Sequence, residues 1–144
     1  MRYSEDTEIL SAEDMEKEVV VSLAGAAAEQ LVYGTSYLSS TEDFRKAFLM
    51  THSMITELGV YGLDLLCPDR AVRGEIMISQ ELVDRICSKR AELINRFSER
   101  ALALLKENEE GFRAIAEALT DRYSLSKEEI EEIYHSVYKD KQVA

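Results

Sequence analysis

The segment from Ser79 to Asn108 constrains the fold more than any other part of the sequence. Its apolar residues recur at intervals of three, four or seven, which places them on one face of an α-helix with about 3.6 residues per turn. They are Leu82, Ile86, Leu93, Phe97, Ala101 and Leu104. Because Ser79 can also cap a first turn, this segment predicts a helix of about seven turns over residues 80–107.

Four further segments combine helical periodicity with local signals for helix ends. The five predicted helices span residues 12–33, 42–58, 80–107, 109–121 and 127–138. The residues predicted to cap their first turns are Ser11, Thr41, Ser79, Asn108 and Ser126. Glycine readily adopts the left-handed conformation that ends many helices, so Gly34 and Gly59 are the predicted ends of the first two.

The fold class follows from this periodicity. In the first two helices the predicted inward face comprises Val19, Val20, Leu23, Ala27, Leu31, Phe44, Ala47, Phe48, Thr51, Ile55 and Leu58. Residues 59–78 contain three of the six glycines and the only proline, which predicts a long loop between the second and third helices. We therefore expect an all-α fold, an irregular bundle of about five helices, as a single domain over residues 1–144.

Composition excludes several classes of function. Asp and Glu number 28 against 17 Lys and Arg, and the resulting net charge of -11 repels phosphate backbones and anionic lipids. We expect no nucleic-acid partner and, without an apolar run of about 18 residues, no membrane contact by this segment. The two cysteines, Cys67 and Cys87, form no C-x-x-C pair, which favours a reducing, cytoplasmic location.

Complete catalytic motifs are missing from the sequence. It has no H-E-x-x-H zinc motif, no G-x-x-x-x-G-K-[ST] phosphate loop and no G-x-S-x-G nucleophile turn. The only histidines, His52 and His135, lie on different predicted helices, and neither has a carboxylate at the spacing that would share a metal. We expect both to be packing or surface residues, and no catalytic residue to act in this chain alone.

One pair of segments does carry a specific signal. Small residues at positions 24–28 of the stretch Leu23-Ala24-Gly25-Ala26-Ala27-Ala28-Glu29-Gln30-Leu31-Val32-Tyr33-Gly34 allow another backbone to approach the first helix closely. Ser39-Ser40-Thr41-Glu42-Asp43 follows shortly after. Together they resemble FtsH-type ATP-dependent zinc metalloproteases, in which a GGRxAEExxxG helix precedes a TTGAxxDLxxAT segment. Similarity continues through residues 54–60, 101–108 and 126–133, and so covers the chain from Met1 to about Tyr138.

The resemblance implies a role for one residue. In that family the aspartate of the second segment is the third zinc ligand, and Asp43 occupies the matching position. A carboxylate suits the third protein ligand of a catalytic zinc whose fourth position holds water. The resemblance also implies that the two histidines and the general-base glutamate lie upstream of Met1, together with a nucleotide-binding domain and a membrane anchor.

Departures from the family pattern leave an alternative for Asp43. Ala26 stands where the family usually has Arg, and Ser40-Thr41-Glu42 replaces the Gly-Ala-x before the aspartate. Asp43 lies three residues after Ser40, so it is either the metal ligand or only the acid of a capping box. Glu29 is expected to be a structural partner, and His52, nine residues beyond Asp43, falls on the opposite face of one helix.

Three functional hypotheses remain open from the sequence. The first is a fragment or partial homologue of an FtsH-like zinc metalloendopeptidase, inactive alone, whose parent acts on protein substrates and assembles as a ring-shaped homo-oligomer. Zinc would be bound in the intact parent with Asp43 as one ligand, and not tightly by this chain. The second is a stand-alone degenerate homologue with a non-catalytic interaction role, and the third is an unrelated helical adaptor with an acidic face.

Overall fold

A computed structural model describes residues 10–35, 40–62 and 77–139. The helices within these ranges are α1 (Ala12–Tyr33), α2 (Thr41–Thr56), α3 (Gln80–Glu107), α4 (Glu109–Arg122) and α5 (Lys127–Lys139). No strand occurs in the described ranges, so the all-α prediction is confirmed. Within the same ranges, none of the helices has the length and apolarity to cross a membrane. Most of the predicted loop, with Cys67 and Pro68, lies outside the described residues.

The first of two compact units comprises residues 1–102. Its buried apolar residues come from α1, α2 and α3 and form one cluster: Val19, Val20, Leu23, Ala47, Met54, Ile55, Ile86, Leu93, Phe97 and Ala101. Two buried threonines in α2 satisfy their hydroxyls locally, since Thr51 donates to the Ala47 carbonyl and Thr56 to the His52 carbonyl. Burial of this apolar surface is the main force holding the unit together.

Three of the core positions predicted for α1, α2 and α3 are wrong. Phe44 is 48% exposed because Asp43, one residue earlier, is the side chain that the first turn of α2 turns toward α1. Leu58 is exposed because α2 ends at Thr56, so helical periodicity no longer applies to it. Leu104 is 44% exposed in the last turn of α3.

The second unit comprises residues 103–144 and is built on α4 and α5. The start of α4 lies against the end of α5 at Gly111, where an added Cβ would be only 2.8 Å from Cε2 of Tyr138. The Gly111 amide donates to the Tyr138 hydroxyl, and the Tyr134 hydroxyl donates to Oδ1 of Asn108 at 2.8 Å. A glycine at this point therefore permits the close approach of two aromatic side chains.

Helix starts follow the predicted signals at three of five positions. Ser11 forms a capping box with Asp14, Ser126 forms one with Glu129, and the Ser79 hydroxyl accepts from the Leu82 amide. Thr41 is not a cap, because α2 begins one residue earlier than predicted and Ser40 occupies the cap position.

Asn108 occupies the predicted cap position of α4, but its side chain makes no capping hydrogen bond. It donates instead to the Leu104 carbonyl, at the end of the preceding helix, and accepts from Tyr134. At the helix ends, Gly34 adopts the predicted left-handed conformation with φ of 70°, whereas Gly59 lies three residues beyond the end of α2.

Candidate functional site

Asp43, the predicted metal ligand, lies in the first turn of α2 with an exposed side chain. Its Oδ2 atom faces α1 at Gly25, where an added Cβ would be 3.5 Å away, at ordinary van der Waals contact. Because Gly25 has no side chain, the carboxylate lies directly against the surface of α1 and stays uncovered. The first turn of α2 thus lies beside the small residues of α1, and an alanine would also fit at position 25.

The residue before α2 is tied to α1 by a polar contact. The buried Ser40 hydroxyl donates a hydrogen bond of 2.8 Å to Oε2 of Glu29, which is half-buried in α1. This bond gives Glu29 the structural role expected for it. It also fixes the beginning of α2 three residues before Asp43.

The capping-box interpretation of Asp43 is wrong. Ser40 occupies the cap position of α2, but its side chain makes no capping hydrogen bond. Among the residues that the structure describes, the Asp43 carboxylate forms no hydrogen bond and no ion pair, whereas its neighbour Glu42 pairs with Arg45 at 3.5 Å. Asp43 is therefore an accessible carboxylate without a local structural task.

His52 lies away from this carboxylate and has a different environment. Its Nδ1 atom is 3.0 Å from Nη1 of Arg90 on α3, and the Arg90 guanidinium lies 4.4 Å from the centre of the Phe48 ring. Burial and the nearby Arg90 charge lower the pKa of His52 below its ordinary value. The guanidinium has only donors, so His52 accepts this hydrogen bond as a neutral imidazole. His52 is a packing residue, as predicted.

His135 is exposed on α5, in the second unit, and contacts the ring of Tyr134 edge-on at 5.9 Å. His135 is thus a surface residue, which is one of the two roles, packing or surface, that were expected for the histidines. In the described ranges, no three His, Cys, Asp or Glu side chains come together closely enough to hold a metal ion. Within the first unit, the imidazole of His52 contacts Arg90 and not Asp43.

One polar cluster of the first unit was missed by sequence reasoning. The Tyr61 hydroxyl, beyond the end of α2, donates to Oε1 of Glu16 in α1 at 2.8 Å, and Arg96 of α3 lies 4.0 Å from the same oxygen. Burial, followed by the Glu16 carboxylate, raises the pKa of Tyr61. The partners are 45 positions apart, and no local pattern indicates such a pairing.

The described residues fit one part of a zinc site. A catalytic zinc takes three protein ligands and water, and an ionised carboxylate with free lone pairs is a suitable ligand. Asp43 meets this requirement because its oxygens are exposed and Gly25 leaves space beside them. Glu29 and Ser40 are hydrogen-bonded to each other, and this bond ties the start of α2 to α1.

Comparison with known proteins identifies the family of this chain. The chain is 27% identical to the ATP-dependent zinc metalloprotease FtsH of Streptococcus pneumoniae over 92% of its length. It is 32% identical to FtsH 1 of Sorangium cellulosum over 90% of its length, and 32% identical to FtsH of Thermus thermophilus over 81%. The chain spans about a fifth of the length of these curated relatives. The sequence profile of peptidase family M41 matches residues 3–133, and the chain belongs to this family.

Proposed function

We propose that this chain is the C-terminal part of the peptidase domain of an FtsH-like ATP-dependent zinc metalloendopeptidase, with Asp43 as one zinc ligand. The observation that carries the proposal is the accessible Asp43 carboxylate, which lies against Gly25 and has no capping partner. Family membership supplies the reaction class, and the relatives are named as zinc metalloproteases.

The chemistry assigned to the chain is limited to ligation and positioning. A bound zinc activates water and polarises the scissile carbonyl. Asp43 would hold it through a carboxylate oxygen, and the bond between Glu29 and Ser40 would keep the first turn of α2 in place beside α1. The two histidine ligands and the general base would come from a segment outside this sequence, so we expect the chain alone to bind zinc weakly and to hydrolyse no peptide.

Partners and location follow from the same proposal. The intact protein would act on protein substrates on the cytoplasmic side and assemble with copies of itself into a ring. The net charge of -11 argues against nucleic acid as a partner of this segment. A non-catalytic homologue with an interaction role is the second candidate, and the replacement of the family's Arg by Ala26 favours it.

Peptide hydrolysis by a longer protein tests the proposal. We would place an H-E-x-x-H segment upstream of this sequence and measure zinc-dependent, chelator-sensitive cleavage of casein. Asp43→Asn should reduce cleavage by at least about a hundred-fold, because one of three ligands is weakened. Glu42→Gln is the matched control, since it removes an exposed carboxylate from the same turn and should retain cleavage.

Two results would contradict the proposal. Equal cleavage by the Asp43→Asn variant and the unchanged protein would remove Asp43 from the metal site. An inactive longer protein that binds no zinc would favour the non-catalytic homologue.

A further inference from the structure

Three helices of this chain begin with the same sequence pattern, a serine followed three residues later by an acid. The pairs are Ser11 with Asp14, Ser40 with Asp43, and Ser126 with Glu129. This spacing is the capping-box pattern, in which the serine accepts from the acid's amide and the carboxylate accepts from the serine's amide. Local spacing therefore allows the same structure at all three helix starts.

The first and third pairs form the box. The amide of Asp14 donates to the Ser11 hydroxyl at 3.1 Å, and the Ser11 amide donates back to the Asp14 carboxylate at 3.1 Å. The corresponding distances at Ser126 and Glu129 are 3.2 and 2.8 Å. In both boxes the serine lowers the pKa of the carboxyl group: at Asp14 through the Ser11 hydroxyl first and its amide second, and at Glu129 through the Ser126 amide first.

The middle pair does not form the box, and the difference lies in the serine. Ser40 donates its hydroxyl to Glu29 at 2.8 Å, across to α1, and its backbone is helical with ψ of 0°. Ser11 has the extended backbone of an ordinary cap, with ψ of 165°. The Ser40 hydroxyl accepts no capping hydrogen bond, and among the described residues the Asp43 carboxylate accepts none from the Ser40 amide.

We infer that Glu29 is a positioning residue that keeps Asp43 out of a capping box by binding Ser40. Without Glu29, Ser40 and Asp43 would close the same box as the other two pairs and occupy the carboxylate with backbone. The importance of an unbonded Asp43 carboxylate rests on the proposed function, because a zinc ligand needs its oxygen lone pairs. The change of hydrogen-bond partner by Ser40 needs no zinc and can be tested in this chain without additional sequence.

Amide hydrogen exchange, measured for each residue of this chain by nuclear magnetic resonance, tests whether Ser40 caps the Asp43 amide when Glu29 is removed. The Asp43 amide is measured against the capped amides of Asp14 and Glu129 in the same sample. Glu29→Ala should slow exchange at Asp43 roughly five-fold, the effect of one capping hydrogen bond. Glu29→Gln keeps an oxygen that accepts from Ser40 and should exchange like the unchanged chain.

The double variant Glu29→Ala with Ser40→Ala provides the decisive control. It lacks the hydroxyl that would cap, so exchange at Asp43 should return to the rate of the unchanged chain. A Glu29→Ala variant that exchanges like the unchanged chain would overturn the inference. Equal slowing in the single and double variants would also overturn it, because the protection would then not come from Ser40.

Zinc affinity of the longer protein tests the link to the metal. Glu29→Ala should weaken zinc binding about ten-fold, the usual effect of losing a residue that orients a ligand. Glu29→Gln should retain the affinity of the unchanged protein. Loss of affinity with Asp43→Asn but not with Glu29→Ala would overturn the positioning role alone. No loss with Asp43→Asn would overturn the proposed function, while the hydrogen-exchange result would still report on the capping box.

Discussion

The two compact units of this chain bury very different amounts of apolar side chain, although α2, α3, α4 and α5 are all amphipathic. The described part of residues 1–102 buries ten apolar side chains in one cluster. In residues 103–144, the described part of α5 buries no residue and α4 buries only Gly111. In the second unit, the Tyr134 hydroxyl donates to Asn108 and the Tyr138 hydroxyl accepts from the Gly111 amide, while the apolar side chains of α4 and α5 are at most half-buried. Helical periodicity therefore identifies which face packs, but not how much of it is buried.

The largest expected loss of stability comes from removing a buried apolar side chain in the first unit. Phe97→Ala should lower the free energy of unfolding by about 3–5 kcal/mol, because the ring is 1% exposed and its removal leaves a cavity. Phe112→Ala, at a half-buried position of α4, is the matched control and should cost clearly less. Urea unfolding followed by circular dichroism measures both. Equal losses would contradict the comparison of the two units.

A second pair of substitutions exploits one helical glycine in each unit. Gly111→Ala should destabilise the protein by about 1–3 kcal/mol, because its Cβ would lie 2.8 Å from the Tyr138 ring. Gly25→Ala meets only Oδ2 of Asp43 at 3.5 Å and should leave stability equal or raise it by up to about 1 kcal/mol. Thermal unfolding measures the difference, and a stabilising Gly111→Ala would show that the tyrosine contact is not tight.

Removal of a tyrosine hydroxyl should have a smaller effect on stability. In contrast to the glycine pair, the variant in the first unit should lose more stability than the variant in the second. Tyr61→Phe should cost about 1–2 kcal/mol, since the lost hydrogen bond is partly buried and its acceptor is the Glu16 carboxylate. Tyr134→Phe loses an exposed bond to Asn108 and should cost about 0.5 kcal/mol. Denaturant titrations of the two variants would contradict this ranking if Tyr134→Phe were the more damaging.

The smallest effect is a pH dependence confined to the first unit. The pKa of His52 is lowered by burial and by Arg90, so at low pH the unfolded chain binds this proton more readily than the folded one. The stability contributed by neutral His52 is present above about pH 6.5 and is lost as the pH falls below that value. Thermal unfolding from pH 7.5 to 5 should show this slope.

Two histidine variants assign that slope to its source. His52→Gln should reduce the loss of stability on acidification, whereas His135→Gln, on exposed α5, should retain it. The same slope in the His52→Gln variant would show that other groups cause it.

Most of the fold was predictable because helix ends are encoded by neighbouring residues. The boxes at Ser11 and Ser126 involve partners three residues apart, and the predicted bounds of α1 and α3 match those observed. The failures involve distant partners. Asn108 responds to Tyr134, 26 positions away, and nothing beside it in the sequence indicates that contact.

The candidate site shows the same limit. Asp43 was identifiable only through the resemblance to a family, because its carboxylate carries no distinctive local pattern. The bond from Ser40 to Glu29 joins positions 11 apart on two helices, and it replaces the capping box that the local spacing favours. This bond depends on how α2 packs against α1, and such packing cannot be deduced from spacing along the chain.

Zinc titration of the longer protein that includes an H-E-x-x-H segment tests the central claim most directly. Asp43→Ala should weaken the zinc affinity measured by isothermal titration calorimetry by at least about ten-fold, because a ligand is lost. His52→Ala should leave that affinity unchanged, because the imidazole contacts Arg90 and not the Asp43 carboxylate. An affinity unchanged by Asp43→Ala would contradict the assignment of Asp43 as a zinc ligand.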